Sequence, residues 1–285
     1  MSICLEMKKL KEYNVSYEGL PMKKFFSGHK KSLIIIATTL VLAVVFSAVG
    51  ITKPKNDDTD RLSTCSVPEG KVVAHGIDVS QHQGEIDFSK VKESGVDFVI
   101  IRAGNTGDGE DPCFASNYEN AVAAGLDVGC YWYTYATDAQ GAEKDAADVI
   151  NIIKGKSFNY PVFYDFEYES LMNYKAFDEN TAMIDAFCGA IKSEGYYPGV
   201  YLSSSTYNSY VDSQVLGNKY DFWVAEYDDY DYSDNKFANS FSLWQYSDKG
   251  SVSGISGNVD LDVAYVDYPT ITAKFKKEFC GSNKK

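Results

Sequence analysis

Residues 160–170, YPVFYDFEYES, form a run of aromatic and β-branched residues that is typical of a buried β-strand. Two carboxylates, Asp165 and Glu167, lie one residue apart near its end. Side chains alternate along a strand, so Phe163 shares a face with both carboxylates, and the other face carries Val162, Tyr164 and Phe166. We expect the apolar face to pack against helices, which leaves the carboxylates on the opposite side at the carboxyl end of the strand.

Strand-like and helix-like segments alternate on both sides of this run. The other early strands are VVAHGIDVS (72–80), VDFVIIRAG (96–104), LDVGCYWYTYA (126–136) and YPGVYLS (197–203), and helical patterns separate them. Three later strands follow with little helix between them: DFWVAEY (221–227), SFSLWQYS (240–247) and NVDLDVAY (258–265). Strands separated by helices pair in parallel, so the pattern predicts an α/β fold, a TIM-like β/α barrel whose last turns lack helices.

The carboxylates of residues 160–170 have a chemical interpretation in such a barrel, because catalytic groups lie at the carboxyl ends of the strands. The same alternation in residues 72–80 directs Asp78 into the barrel as well. Two neighbouring carboxyls cannot both ionise easily in a poorly solvated cleft. Glycoside cleavage uses such a couple, one carboxyl as proton donor and the other as anion. An acidic strand end paired with Lys or Arg, or a calcium site, is the alternative explanation.

The N-terminal part contains a long apolar run. Residues 33–51, LIIIATTLVLAVVFSAVGI, carry no charge and as a helix would extend about 28 Å, enough to cross a bilayer core. Lysines precede the run and aspartates follow it, so we predict a cytoplasmic segment (1–31), a transmembrane signal anchor (32–51), a linker (52–72) and an extracellular C-terminal domain. Ala48 and Gly50 also fit a signal-peptidase site, and a cleaved, secreted protein is the alternative.

Charge and histidine content argue against several function classes. The net charge of −13 disfavours nucleic acid as a partner, because affinity for a polyphosphate comes largely from Lys and Arg. Zinc amidases and metallopeptidases need converging histidines, and cysteine peptidases need a Cys paired with His. The sequence offers neither arrangement, since its histidines are only His29, His75 and His82.

The six cysteines form no CxxC pair, so a structural zinc site is not expected. Cys130 and Cys188 fall within apolar strand and helix patterns, where a cysteine is usually a small buried hydrophobe. Cys65 and Cys280 flank the domain and are candidates for a disulfide that joins its two ends.

Several motifs together resemble glycoside hydrolase family 25, the lysozymes or N-acetylmuramidases. They are HGIDVSQHQGEIDFSKVKESGVDFVIIRAG, YPVFYDFE, YYPGVYLSSS, FWVAEY and SLWQYSDKGSVSGISGNVDLDVAY, in the family's order. The resemblance covers residues 73–268 and leaves residues 269–285 as a C-terminal tail. It implies a flattened barrel of five β/α units followed by three β-strands. It also implies cleavage of the β-1,4 bond between N-acetylmuramic acid and N-acetylglucosamine in peptidoglycan glycan strands, without a metal or organic cofactor.

The resemblance also implies roles for single residues. Glu167 matches the general acid/base and Asp165 its anionic partner, and Asp78 and Asp260 match two further acidic residues of the substrate site. Asp262 shares strand parity with Asp260 but not the matched position, so it receives no role. A 2-acetamido group of the substrate can attack the anomeric carbon from within, and we therefore expect a substrate-assisted reaction with retention of configuration.

Further residues at strand ends are candidate sugar contacts, with ordinary barrel packing as the alternative: Tyr131, Tyr133, Tyr201, Trp244 and Gln245. Glu226 departs from the family resemblance, which suggests a neutral residue at that position. A non-catalytic glycan-binding barrel and a chitinase-type glycosidase are the competing functions. A pure binder has no need of the Asp165 and Glu167 couple, and the GIDVS and WQYS motifs favour the muramidase over the chitinase.

Overall fold

The computed structural model describes residues 72–167, 177–227 and 241–282. The predicted transmembrane segment (32–51) and most of the linker lie outside these ranges. Within them, no helix combines the length and the apolar character that a membrane crossing requires.

Eight strands form a closed ring: β1 (Ala74–Val79), β2 (Phe98–Asn105), β4 (Asp127–Tyr133), β5 (Val162–Asp165), β6 (Pro198–Ser203), β7 (Asp221–Ala225), β8 (Leu243–Gly250) and β9 (Val259–Ala264). The ring closes because β1 pairs with both β2 and β9. Neighbouring strands are parallel except for β9, which runs antiparallel to β8 and β1. A ninth strand, β3 (Gly109–Glu110), forms a short hairpin with β2.

Helices connect the early strands of the ring: α1 (Phe88–Glu93), α2 (Phe114–Ala123), α3 (Ala139–Ile153), α4 (Phe177–Ser193), and the short α5 (Ser204–Ser209) and α6 (Ser213–Gly217). In the described residues, β7, β8 and β9 follow one another without a helix. The prediction of an α/β barrel with five β/α units followed by three strands is confirmed.

Strand alternation divides the apolar residues into two layers. In β5, Val162 and Tyr164 belong to the layer between strands and helices, whereas Phe163 faces the interior of the ring. The ring of Tyr164 stacks on Phe187 of α4 with centroids 4.0 Å apart. The buried residues of α3 recur at helical spacing and include Ala142, Ala146, Val149 and Ile153, so this helix covers the barrel with one face. Asp165 is thereby held on the inner side of a strand that is fixed from outside.

The C-terminal segment is a helix, α7 (Tyr268–Ser282), and not the tail predicted from residue 269. Its apolar residues join the interior layer of the barrel. The Thr272 hydroxyl donates to the carbonyl of Asn159 (3.0 Å), and the Lys276 ammonium donates to that of Phe158 (2.8 Å). The buried positions Tyr268, Ile271 and Phe275 recur at i, i+3 and i+7, a helical signal that the sequence interpretation overlooked.

The cysteine predictions have different outcomes. Cys130 and Cys188 are fully buried in the layer between strands and helices, as expected. Cys280 is exposed near the end of α7. Cys65 lies outside the described residues, so the disulfide between Cys65 and Cys280 stays a prediction.

Candidate active site

A cleft of about 310 Å³ opens at the carboxyl ends of the parallel strands. Eight of the nine predicted site residues line it: Asp78, Tyr131, Tyr133, Asp165, Glu167, Tyr201, Gln245 and Asp260. They come from six strands, or the residues directly after them, and meet because the barrel brings the strand ends together.

A larger groove of about 830 Å³ lies between the start of α1, the end of α2 and residues 254–256. Its carboxylates are exposed, and Asp87 forms an exposed ion pair with Lys90 (2.8 Å). Exposed pairs of this kind have ordinary surface chemistry. The smaller cleft holds the buried carboxyls and is the better candidate for catalysis.

Asp165 lies at the end of β5 with only 3% of its surface exposed. Its backbone carbonyl accepts a hydrogen bond from the Thr134 amide (3.2 Å), whereas its buried side-chain Oδ1 has no hydrogen-bond partner among residues 72–167, 177–227 and 241–282. Burial is the main cause that raises the pKa of Asp165, the negative charge of Glu167 raises it further, and Arg102 lowers it. The residue nevertheless belongs to the lining of the cleft.

Glu167 follows β5 on the same side of the strand. Burial is the main cause that raises its pKa, a hydrogen bond with Tyr201 lowers it, and the charge of Asp260 raises it. Burial together with mutual repulsion disfavours full ionisation of Asp165 and Glu167. The couple can therefore hold one proton and one negative charge at the same time.

A second group of carboxyls belongs to the pairing of β1 with β9. Asp78 lies opposite Asp260 in the register, and Gly76 lies opposite Asp262. Burial, followed by the charges of Asp262 and Asp260, raises the pKa of Asp78. Burial and the charge of Asp248 raise the pKa of Asp260 to about 6. Asp262 is 1% exposed and accepts a hydrogen bond from the Trp223 indole (2.8 Å).

Gln245 connects this group to the tyrosines of the cleft. Its amide Nε2 donates to Asp78 Oδ2 (2.6 Å). Its Oε1 accepts from the hydroxyls of Tyr201 (2.8 Å) and Tyr227 (2.5 Å). The amide is 2% exposed and uses both its donor and its acceptor side, so Gln245 fixes the orientation of its three neighbours.

Trp244 is the predicted site residue that the structure places elsewhere. It is fully buried on the outer side of β8 among Val263 and Tyr265, and its indole donates to the carbonyl of Glu226 (2.9 Å). Residues 244 and 245 are adjacent in a strand and point to opposite faces, so they cannot both reach the cleft. The prediction that Trp244 contacts a sugar is therefore wrong, and the residue has a packing role.

Glu226 is half-buried and is not part of the cleft lining. Its backbone amide donates to the Gln245 carbonyl (3.1 Å), and the following residue, Tyr227, reaches into the cleft instead. The extra charge that the sequence suggested near the cleft therefore lies at a half-buried position next to a cleft residue.

The sequence interpretation missed four further residues that line the cleft: Arg102, Trp223, Tyr227 and Asp248. Side-chain alternation in β2 and β7 could have identified the first two. Arg102 shares a strand face with Ile100, and Trp223 shares one with Ala225, and these faces point into the barrel. Tyr227 and Asp248 lie where a strand ends or its register shifts, and local pattern does not determine their direction.

Comparison with known proteins agrees with this geometry. The profile of glycosyl hydrolases family 25 matches residues 77–255. The chain belongs to glycosyl hydrolases family 25. A curated family relative, the autolytic lysozyme of Clostridium acetobutylicum, is 33% identical over 187 residues, which are 66% of this chain and 54% of that protein. The chain thus spans about half the length of this relative.

Solved structures of the family show the same barrel. The lysozyme from Streptomyces coelicolor is 26% identical with a TM-score of 0.61, over 72% of this chain and 97% of that one. The modular autolysin of Streptococcus pneumoniae, solved in complex with a synthetic peptidoglycan ligand, is 31% identical with a TM-score of 0.56, over 67% of this chain and 46% of that one. Family membership and the fold therefore agree with the sequence resemblance.

Proposed function

We propose that this protein is a peptidoglycan hydrolase of the muramidase type, which cleaves the β-1,4 bond between N-acetylmuramic acid and N-acetylglucosamine. The observation that carries the proposal is the couple of the buried Asp165 and the half-buried Glu167 at the carboxyl end of β5, inside the cleft of a family 25 barrel. The relatives named lysozyme and autolysin, and the autolysin bound to a peptidoglycan ligand, support the substrate class.

In the proposed reaction, Glu167 donates its proton to the glycosidic oxygen as the bond from that oxygen to the anomeric carbon breaks. The carbonyl oxygen of the substrate's own 2-acetamido group attacks the same carbon and forms a cyclic intermediate. Water, deprotonated by Glu167, then opens the intermediate from the other face, so the product retains its configuration.

Asp165 stabilises the acetamido group in this scheme. Its carboxylate belongs to the cleft lining and would accept the acetamido N–H. The negative charge of the carboxylate also stabilises the positive charge that develops on the attacking group. Asp78, Asp260, Tyr131, Tyr133, Tyr201 and Gln245 would contact the sugars or orient the groups that do.

The activity is tested by incubating the full-length protein with purified peptidoglycan and identifying new reducing ends by mass spectrometry. Reducing N-acetylmuramic acid is the expected product. Reducing N-acetylglucosamine would contradict the proposal, and faster cleavage of chitin oligomers than of peptidoglycan would indicate the chitinase-type alternative. Binding of peptidoglycan without any new end would indicate a glycan-binding barrel.

Variants test the two carboxyls separately. Glu167→Gln should lower turnover by about 10² to 10⁴-fold while glycan binding persists, because it removes the proton and keeps the shape. Asp165→Asn should also lower turnover, and added azide should yield no glycosyl azide, since the attacking group belongs to the substrate. Glu226→Gln is the matched control, the same change of charge at a residue outside the cleft, and should retain activity. An inverted first product in NMR spectra would contradict the assisted mechanism.

We also propose that residues 32–51 anchor the protein in the cell membrane, with the catalytic domain outside. The charge-free run and its lysine-rich flank support this location. The protein should remain with membranes after a high-salt wash, and protease added to intact cells should digest only the C-terminal part. A released protein that begins near Ile51 would instead identify a cleaved signal peptide.

A further inference from the structure

A carboxylate is buried between α3 and the outer side of the barrel. Asp145 of α3 is only 1% exposed. The other buried residues of this helix are small or aliphatic: Ala142, Ala146, Val149 and Ile153. Burial of a charged group costs free energy unless the group is paired or hydrogen-bonded, whereas an aliphatic side chain would cover the strands without that cost. Packing alone therefore does not account for a carboxylate at this position.

Three hydroxyl groups converge on the Asp145 carboxylate. The Thr106 hydroxyl donates to its Oδ1 (2.8 Å), and the hydroxyls of Thr134 (2.7 Å) and Tyr164 (3.1 Å) donate to its Oδ2. Thr106 directly follows β2, and Thr134 directly follows β4. Tyr164 is the residue of β5 that precedes Asp165. One side chain of α3 thus connects the carboxyl ends of three adjacent strands.

The two threonine hydroxyls also hold the segment that leaves β4. Thr106 Oγ1 accepts a hydrogen bond from the Tyr135 amide (2.9 Å). Thr134 Oγ1 accepts one from the Ala136 amide (2.9 Å). Each hydroxyl therefore donates to Asp145 and accepts from the backbone at the same time, so the carboxylate fixes the orientation of both.

The backbone amides of the same threonines reach two residues of the cleft. The Thr106 amide donates to the Tyr133 carbonyl (3.0 Å). The Thr134 amide donates to the Asp165 carbonyl (3.2 Å). Tyr133 and Asp165 both line the cleft. The hydrogen bonds that begin at Asp145 behind the strands thus end at the backbone of the residues in front of them.

We propose that Asp145 is a positioning residue for catalysis, which holds Asp165 from the outer side of β5 through Thr134 and Tyr164. Neighbouring residues of a strand point to opposite faces, so a contact that fixes the Tyr164 side chain outside the ring also fixes the direction of Asp165 inside it. A displacement of about 1 Å at a reacting group can lower turnover by about 10²-fold. The inference rests on the proposed function, in which Asp165 stabilises the group that attacks the anomeric carbon.

Asp145→Asn tests the inference, because it keeps the shape of the side chain and replaces one acceptor oxygen by a donor. With soluble peptidoglycan fragments as substrate, kcat should fall by about 10 to 10²-fold while KM changes little. Thr134→Val removes the hydroxyl and should have the same effect, whereas Thr134→Ser keeps it and should retain most of the wild-type kcat. Val149→Ala, on the same face of α3, is the matched control. It should lower the midpoint of thermal unfolding and leave kcat unchanged at temperatures where all variants are folded.

A double variant shows whether Asp145 acts through Asp165. Residues that act as a unit have non-additive effects on turnover. Asp145→Asn should therefore cause little further loss of kcat when Asp165→Asn is already present. An equal fold-loss in both backgrounds would overturn the inference, and so would a wild-type kcat in Asp145→Asn, a rise in KM alone, or an equal loss of kcat in Val149→Ala.

Hydrogen exchange in the full-length protein provides a measurement that does not depend on activity. The peptide that contains residues 134–136 should exchange faster in Asp145→Asn than in the wild type, because the hydroxyls that accept from its amides are no longer held. Val149→Ala should leave this exchange unchanged. Equal exchange in Asp145→Asn and the wild type would overturn the inference. An inactive wild-type protein would contradict the proposed function, while the exchange would still decide whether Asp145 holds the strand ends.

Discussion

Gln245→Glu is a nearly isosteric change that reverses one hydrogen bond of the cleft. The Tyr201 and Tyr227 hydroxyls keep an acceptor, because a carboxylate oxygen replaces the amide oxygen that they contact. The Nε2 donor to Asp78 Oδ2, at 2.6 Å, becomes a second acceptor facing the first. The substitution therefore isolates the contact with Asp78.

The magnitude follows from the burial of this contact. A hydrogen bond to a charged group is worth about 1.5 to 3 kcal/mol, and Gln245 and Asp78 are only 2% and 5% exposed. We expect a loss of about 2 to 3 kcal/mol in the free energy of unfolding at pH 8. For a domain of this size, the midpoint of thermal unfolding should fall by about 4 to 12 °C.

The loss should depend on pH. At acidic pH one proton can be shared between the two facing carboxyls and restore a hydrogen bond, so the variant should be close to the wild type. Burial beside a like charge raises the pKa of the new carboxyl in the folded state. The folded protein therefore binds this proton more tightly than the unfolded chain does. Stability is lost as pH rises above about 4, which is the pKa of the carboxyl in the unfolded chain.

Thermal unfolding of Gln245→Glu at pH 5 and pH 8 measures the effect, and a second substitution provides the control. Asp78→Asn in the same chain supplies a donor opposite the new acceptor, so the double variant should recover at least about 1 kcal/mol relative to the sum of the two single changes. An equal loss at both pH values, or strict additivity in the double variant, would refute the assignment of this contact.

Three further outcomes follow from buried groups. The raised pKa of Asp262 should make the wild type less stable as pH rises above about 4, and Asp262→Asn should flatten that dependence in thermal unfolding across pH. Gly76→Ala places a Cβ 2.2 Å from an aromatic ring and should cost about 1 to 3 kcal/mol in denaturant unfolding, whereas Gly189→Ala, with open space around it, should stabilise by about 0.4 to 1 kcal/mol. Trp244→Phe should lose about 1 kcal/mol of stability with its hydrogen bond to the Glu226 carbonyl and leave KM for purified peptidoglycan unchanged.

Strand alternation explains why much of the cleft could be predicted from sequence. A residue at the end of a barrel strand has two possible directions, and the apolar neighbours of Asp78 and Asp165 determine which one points inward. The error at Trp244 came from the same rule. Because Gln245 points inward, its neighbour in the strand cannot.

Contacts that depend on tertiary structure were not predictable in this way. The position of Arg102 depends on a hairpin that brings Asp111 back to it, and the sequence pattern of β2 alone contains no sign of that partner. Helix α7 had a local signal in the spacing of Tyr268, Ile271 and Phe275, but no local pattern indicates that these residues pack into the interior layer of the barrel. The local sequence pattern thus predicts the direction of a side chain, whereas the residues that it contacts are determined by tertiary packing.

The closure of the ring has a consequence for how the protein is made. Strand β9 pairs with β1 across nearly the whole domain, and the pairing aligns Asp78 with Asp260. Contacts between such distant segments form slowly, because the conformational entropy of the intervening chain must be lost before the strand pairing stabilises the fold. A chain that is still being synthesised, without β9 in place, has no wall on that side of the cleft. Completion of the cleft therefore coincides with completion of the barrel, and a truncated product that ends before β9 would lack Asp260 and the strand that pairs with β1.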